Sequence, residues 1–437
     1  MERTVKFARV NENMEKKRLN ELPDELILKI FSLLPMLKET LGPHRRGPVA
    51  KGPSSLPGSP VTDDLAIPDI SRKAFQTRDR LHLKLVRRKS ASNIDFVVQV
   101  AVNRSVRKLR IDLSGRILVL PRCLSFVVIP NGLCLPSLKS LHLFSIKFLG
   151  FETVSSLLQI CPDLEYLVLN KPNITMFDVA MFPVAPPTFY RSSLKSLHLL
   201  SVEFSSDDSV AYLLRNCEAL EDLVINRTED DNVKVFNINV PTLRSLSINN
   251  SRRKHVYVEE DLGFVINAPA LEKLNFKDTC SNFFMFEDMP EVTKANIEVV
   301  YSDQSEKFIG SLTSIQRLSL CSSTSNTPYP RGTFFFFLKH LELCTCTEGW
   351  TNLLAGILNN APKIQSLKLE SKHSCHHYND LMNPWIVPKV VPECLSKHLE
   401  ILEWKQYEGT KQERKVGAYI LANATCLKTG HSQSHQD

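Results

Sequence analysis

Glycine is scarce in this 437-residue chain, fifteen in all, and tryptophan numbers only three. The few glycines are nowhere arranged as G-x-x-x-x-G-K-[ST], G-x-G-x-x-G or G-x-S-x-G, and no H-E-x-x-H occurs, so the main phosphate-loop, dinucleotide, hydrolase and zinc-peptidase signatures are excluded. Long hydrophobic runs are lacking too. The stretch Phe334 to Leu338 is about as long as they get, against the roughly 20 residues a spanning helix needs, so a membrane is not an expected partner. The first twenty residues mix charge with apolar side chains and show no secretory pattern, which sets the expected compartment as nucleus and/or cytoplasm. The eleven cysteines, an odd number, are expected to be buried thiols rather than disulfides. No cofactor is expected, and no metal site.

Basic residues exceed acidic ones by seven, 54 to 47, but unevenly. Residues 1 to 110 hold 23 Lys and Arg against 12 Asp and Glu, leaving 31 against 35 in the remainder. Nucleic-acid binding would need basic residues along the long C-terminal part, which is slightly acidic, so nucleic acid is not an expected partner.

What the chain has in abundance is a repeat. L-x-x-L-x-L returns as Leu138, Leu141, Leu143; Leu164, Leu167, Leu169; Leu194, Leu197, Leu199; and Leu220, Leu223, Ile225. It goes on as Leu243, Leu246, Ile248; Leu271, Leu274, Phe276; Ile315, Leu318, Leu320; Leu338, Leu341, Leu343; and Ile364, Leu367, Leu369. Weaker copies begin at Val106, Val292 and Leu399. Pro136, Pro162, Pro241, Pro269 and Pro362 each stand two residues before a copy. The last apolar positions of each copy alternate with polar ones, as a short strand with one buried face requires. Such strands are too short to stand alone, and stacking them in parallel buries the leucines in one ribbon. The expected fold is therefore α/β, a leucine-rich-repeat solenoid with parallel strands on its inner face. Helical spacing at Val154, Leu157, Leu158, at Val210, Leu213, Leu214, and at Leu353, Leu354, Ile357, Leu358 predicts helices for the outer layer. A doubly wound sheet is the alternative, but it would not keep the same leucines in every strand.

Leu22-Pro23-Asp24-Glu25-Leu26-Ile27-Leu28-Lys29-Ile30-Phe31-Ser32-Leu33-Leu34-Pro35 reads as one helix, with Pro23 at its first turn, acids at its positive end and Pro35 as its stop. This segment resembles the start of an F-box. Near the other end, Val391-Pro392-Glu393-Cys394-Leu395, Leu399 to Thr410 and Ala418 to Lys428 resemble an FBD domain, the C-terminal module of plant F-box proteins with leucine-rich repeats. The resemblance implies a substrate-recognition subunit of a Skp-cullin-F-box ubiquitin ligase, with no catalytic residue of its own. It implies adaptor contacts through Leu22, Pro23, Leu26, Ile30, Phe31, Leu34 and Pro35. The implied partners are a Skp-type adaptor, cullin through it, and a protein target.

One departure stands out. Where the family continues with further F-box helices, Leu41 to Pro60 holds four Gly and five Pro, and no tryptophan occurs before Trp350. No helix can cross that stretch. The expected organisation is a partial F-box at 19–40, a Gly/Pro-rich linker without fixed structure at 41–73, the solenoid at 74–375 and the FBD domain at 385–429. Side chains flanking the strand leucines are the expected target-binding set: His142, Tyr166, His198, Asp222, Lys273, Arg317, Glu342 and Lys368. Cys344 and Cys346, with His373, Cys375, His376 and His377 further on, are the one metal-like cluster, read as incidental because the first pair lacks a zinc-knuckle spacer.

Overall fold

The computed structural model describes residues 80–84 and 105–433, except 113–117, 120–134, 145, 149–156, 171–172, 175–191, 205, 229–230, 251–261, 279–280, 282, 288, 300–309, 323–332, 347–348 and 373–384. The helix read at 22–35 and the Gly/Pro-rich stretch lie outside them. The chain divides into two units, residues 1–67 and 68–437, and all the described residues belong to the second.

The frame of this second unit is a 14-stranded sheet whose strands follow chain order. They are β1 (Arg80–Lys84), β2 (Lys108–Asp112), β4 (Ser140–Phe144), β6 (Tyr166–Asn170), β8 (Ser196–Leu200), β9 (Asp222–Asn226) and β11 (Ser245–Asn250). The series continues with β13 (Lys273–Asp278), β15 (Lys294–Val299), β16 (Arg317–Ser322), β17 (His340–Cys344), β18 (Ser366–Glu370), β19 (Ile401–Lys405) and β20 (Thr429–Gln433). Every adjacent pair is parallel, and the repeat leucines stand in register, as in Leu167↔Leu197↔Leu223↔Leu246. Those four side chains are buried, which places the repeat positions on one inward face.

The proline register has a physical cause. Leu138, Leu164, Leu243 and Leu271 each donate a backbone N–H to the carbonyl three residues back, closing turns over Leu135, Cys161, Val240 and Ala268. Pro136, Pro162, Pro241 and Pro269 fill the second turn position, where a fixed φ is already the one required and no N–H is needed. The residue opening each turn is buried, and for that reason Cys161 and Cys217 stand among apolar residues. A second device locks the repeats together. Two successive N–H groups at the start of a strand share one carbonyl of the previous repeat, as Lys195 and Ser196 share Glu165, and Arg244 and Ser245 share Glu221.

The outer layer is mixed rather than helical throughout. Residues 157–160 are helical, and α1 (Asp207–Arg215) and α2 (Trp350–Asn360) fall where helical spacing places them. Elsewhere, β10 (Val235–Asn239), β12 (Gly263–Asn267) and β14 (Phe283–Phe286) form a second parallel sheet, and β3 (Leu118–Val119), β5 (Ile146–Phe148) and β7 (Asn173–Ile174) a third. In the repeats carrying β10, β12 and β14, extended chain fills the return path. At Gly263 a Cβ would overlap the Phe283 carbonyl, so only glycine lets β12 and β14 approach.

Between the second sheet and the ribbon runs a phenylalanine stack: Phe204, Phe236, Phe264, Phe276 and Phe284, with successive ring centroids 5.3 to 5.9 Å apart. Arg227 and Asp231 are buried beside it as an ion pair at 2.8 Å, the guanidinium 5.1 Å from the Phe236 ring centre. Asp231 also accepts from the backbone N–H groups of Phe204 and Val233, so the charge is bonded on several sides.

At the C-terminus, α3 (Glu393–Lys397) and α4 (Lys411–Asn423) cover the end of the ribbon while β19 and β20 extend its sheet. Helix α4 starts on a full capping box: Thr410 Oγ1 accepts from Glu413 N at 3.2 Å, and Glu413 Oε2 from Thr410 N at 2.9 Å.

Candidate functional site: the open face of the ribbon

Strand alternation that sends the leucines inward sends the first, third and fifth residues of each strand to the other face. In-register stacking turns these into three rows running across the repeats. His142, Tyr166, His198, Asp222, Lys273, Arg317, Glu342 and Lys368 all lie on this face, half-buried or exposed. The structure divides them into three chemically distinct zones.

The first zone is aromatic and imidazole-rich. The Tyr166 hydroxyl is 3.2 Å from His198 Nδ1, and His198 Nε2 is 3.3 Å from Asp222 Oδ2. The His142 ring lies 5.3 Å from that of Tyr166, and Arg110 sits 4.3 Å over the Phe144 ring. Ser196 donates to Asp222 at 2.8 Å rather than to the imidazole, so that hydroxyl lacks the nucleophile-to-base contact of covalent catalysis. Burial, then the Arg110 charge, holds His142 below its ordinary value, and burial followed by Asp222 raises Tyr166. The zone is an amphipathic surface in which the Asp222 carboxylate is an acceptor.

The second zone carries amides and positive charge. Asn296 donates to Asn275, and Asn275 to Ser247, each at 2.9 Å. Beside them Lys273, Lys294, Arg317 and His340 occupy the same position on four successive strands. Burial and Arg317 keep His340 below its ordinary value.

The third zone is an acid–base network. Lys368 Nζ lies 3.3 Å from Glu342 and 2.6 Å from Glu370, while Lys372 reaches Glu342 at 2.7 Å. Burial would raise Glu342, but the two lysines outweigh it and leave its carboxyl below the usual range. Half-exposed pairs of this kind add little stability, roughly 0 to 1 kcal/mol each, so their main consequence is a fixed pattern of charge.

Sequence reasoning missed Arg110, Ser247, Lys294, Asn296 and Lys372. All but Lys372 could have been found by writing the repeats in register and reading down the rows. The same reading would have found Cys321. Cys344 and Cys346 do gather with a third ligand-type side chain, but it is Cys321, one repeat earlier, and the three sulfurs lie within 4.8 Å of one another. His373, Cys375, His376 and His377, like the adaptor-contact set at 22–35, lie outside the described residues.

Comparison with known proteins agrees with this architecture. Residues 387–430 match the FBD family, 173–297 the LRR repeats of the FBD-associated F-box protein At5g56370, and 137–162 a Leucine Rich Repeat. The chain is 52% identical over 429 residues to a putative FBD-associated F-box protein of Arabidopsis thaliana, At5g56560, covering 95% of this chain and 92% of the relative. It is 41% identical over 444 residues to the F-box/FBD/LRR-repeat protein At5g56570 of the same plant, covering 97% and 89%. With a ribbon of parallel leucine-bearing strands that runs on into the C-terminal module, and relatives matched along nearly their whole length, this chain belongs to the plant F-box/FBD/LRR-repeat family.

Proposed function

We propose that this protein is a non-catalytic substrate receptor of a Skp-cullin-F-box ubiquitin ligase, working in the nucleus and/or cytoplasm. Its open ribbon face takes a protein target, and the N-terminal segment takes the Skp-type adaptor. The observation that carries the reading is the three-zone face itself. Its mixed sign and chemistry suit a folded protein surface better than a polyanion, which would ask for one charge throughout.

The adaptor side is proposed to be weak. A stable interface usually buries about 1,600 Å² in total, and the short segment carrying Leu22, Pro23, Leu26, Ile30, Phe31, Leu34 and Pro35 supplies only part of that. The nine helix breakers between Leu41 and Pro60 favour a second reading, a repeat scaffold that binds its target with no ligase role.

Adaptor affinity measured for the full chain, and for a version in which Leu41 to Pro60 is replaced by helix-forming sequence bearing an Arg-Trp pair, separates these readings. The receptor reading expects measurable binding that the replacement strengthens at least tenfold. Equal, tight binding by both forms would overturn the weak-adaptor proposal. No binding by either form would overturn the receptor reading and leave the scaffold.

A further inference from the structure

Two of the buried cysteines stand apart from the others. Cys217 donates its thiol to the Leu213 carbonyl and Cys394 to that of Leu358, both at 3.4 Å, and each is an isolated small side chain in the core. Burial pushes both thiols up to about 12, as expected of inert groups. Cys321, Cys344 and Cys346 are different. Cys321 and Cys344 each follow the last paired leucine of adjacent strands, Leu320 and Leu343, so the parallel register brings two sulfurs side by side. Two residues on, the chain leaving β17 brings back Cys346, whose Sγ is 4.0 Å from that of Cys321.

We propose that Cys321, Cys344 and Cys346 form a three-thiolate site for a closed-shell thiophilic cation, Zn2+ or Cu(I). With metal–sulfur bonds of about 2.3 Å, tetrahedral or trigonal coordination sets sulfur–sulfur separations of about 3.8 to 4.0 Å. The observed spacing, 4.0 Å for one pair and at most 4.8 Å for all three, closes to that with small side-chain shifts. A disulfide would need the sulfurs to approach to about 2.04 Å. Soft thiolates select these ions over Mg2+ or Ca2+, and three sulfurs satisfy trigonal Cu(I) or leave Zn2+ one open position.

The site is sheltered from solvent. Cys321 and Cys344 are buried and Cys346 is half-buried, so an ion held by the three sulfurs would be largely screened from water. Cys344 stands opposite Glu370 in the register of β17 and β18, so the site sits directly beside the acid–base zone. On binding, each thiol that becomes a ligand releases its proton to solvent, and no redox partner is required.

The test uses the reduced full-length protein under anaerobic conditions, titrated separately with Zn2+, with Cd2+ as its spectroscopic stand-in, and with Cu(I). The expected result is one equivalent bound, sulfur-to-metal charge-transfer absorption with Cd2+ or Cu(I), and an affinity at least tenfold lower in C321S, C344S and C346S but unchanged in C217S. Relative affinities for Zn2+ and Cu(I) distinguish the two ions. Because a serine variant can fail to fold, alkylation of the wild type is mapped by peptide mass spectrometry with and without metal. Metal should shield Cys321, Cys344 and Cys346 and leave Cys426, an exposed cysteine, reactive. Equal labelling of the three with and without metal would overturn the proposal, as would full metal binding by the folded triple variant or a Cys321–Cys346 disulfide in the anaerobically prepared protein.

Discussion

The middle of the ribbon and its C-terminal end present the same strand to the open face and are backed by opposite means. From β9 to β15 the inner leucines rest on a second sheet and a phenylalanine stack, with one buried ion pair sealed between them. From β17 to β20 they rest on helices α2, α3 and α4 and on the rings of Trp350, Trp404 and Tyr407. The strand is therefore specified by the repeat, and its backing by whatever the segment between repeats can build. Where the return path is extended chain, large rings fill the space behind the leucines. Where it closes helical turns, aliphatic side chains such as Leu354 and Ile357 share that space with the rings of Trp350 and Trp404.

Emptying the stack is the severest test of that difference. Phe264 is fully buried between Phe236 and Phe276, so Phe264→Ala should cost about 3 to 5 kcal/mol in chemical unfolding. Leu354→Ala on the helical side should fall in the range of about 2 to 5 kcal/mol. Equal losses, or a smaller loss at Phe264, would mean that the rings are not the main filler of the middle.

A smaller effect is expected at the helical end alone. Thr410→Ala removes one half of the capping box on α4 and should lower stability by about 1 kcal/mol, read as a shift in denaturation midpoint with unchanged slope. Restoration by Thr410→Ser but not by Thr410→Val would identify the hydroxyl as the cause.

The open face should be separable from either backing. Charge reversal at Lys273, Arg317 and Lys368 together should weaken target capture, while the changes at Lys273 and Arg317 each alter stability by no more than about 0.5 kcal/mol. Lys368 is tied to two carboxylates, so its share should be the largest of the three. Capture that survives this triple change and is lost on altering the exposed side of α1 would move the binding surface to the other side of the ribbon.

The subtlest consequence is a slope. His142 is held below the ordinary histidine value of 6.5 in the folded chain, so in the window beneath 6.5 the unfolded chain binds the extra proton. Stability from this group is thus full above 6.5 and falls as the pH drops through the folded value. His142→Phe should flatten the acid side of a stability–pH curve, and an unchanged slope would show that His142 is not coupled to folding.

The ribbon was legible from the chain of residues alone. Leu at three constrained positions per repeat defines a strand, its buried face and its parallel neighbour, and a proline two residues earlier marks the turn; each is a local rule repeated until only one stacking satisfies all copies. Which residues share a row follows once the copies are written in register, but which of them touch was settled only in three dimensions. The Tyr166–His198–Asp222 chain, the Asn275–Asn296 amides and the Cys321–Cys344–Cys346 cluster each join residues from different repeats, whose spacing in sequence is irregular and whose spacing in space is one strand. The choice of a second sheet over helices was equally hidden, because repeats of similar length take either backing. The physical reason is the same in each case. Hydrophobic periodicity is written along the chain, whereas contacts between side chains across strands arise only once hydrogen bonding has fixed the register.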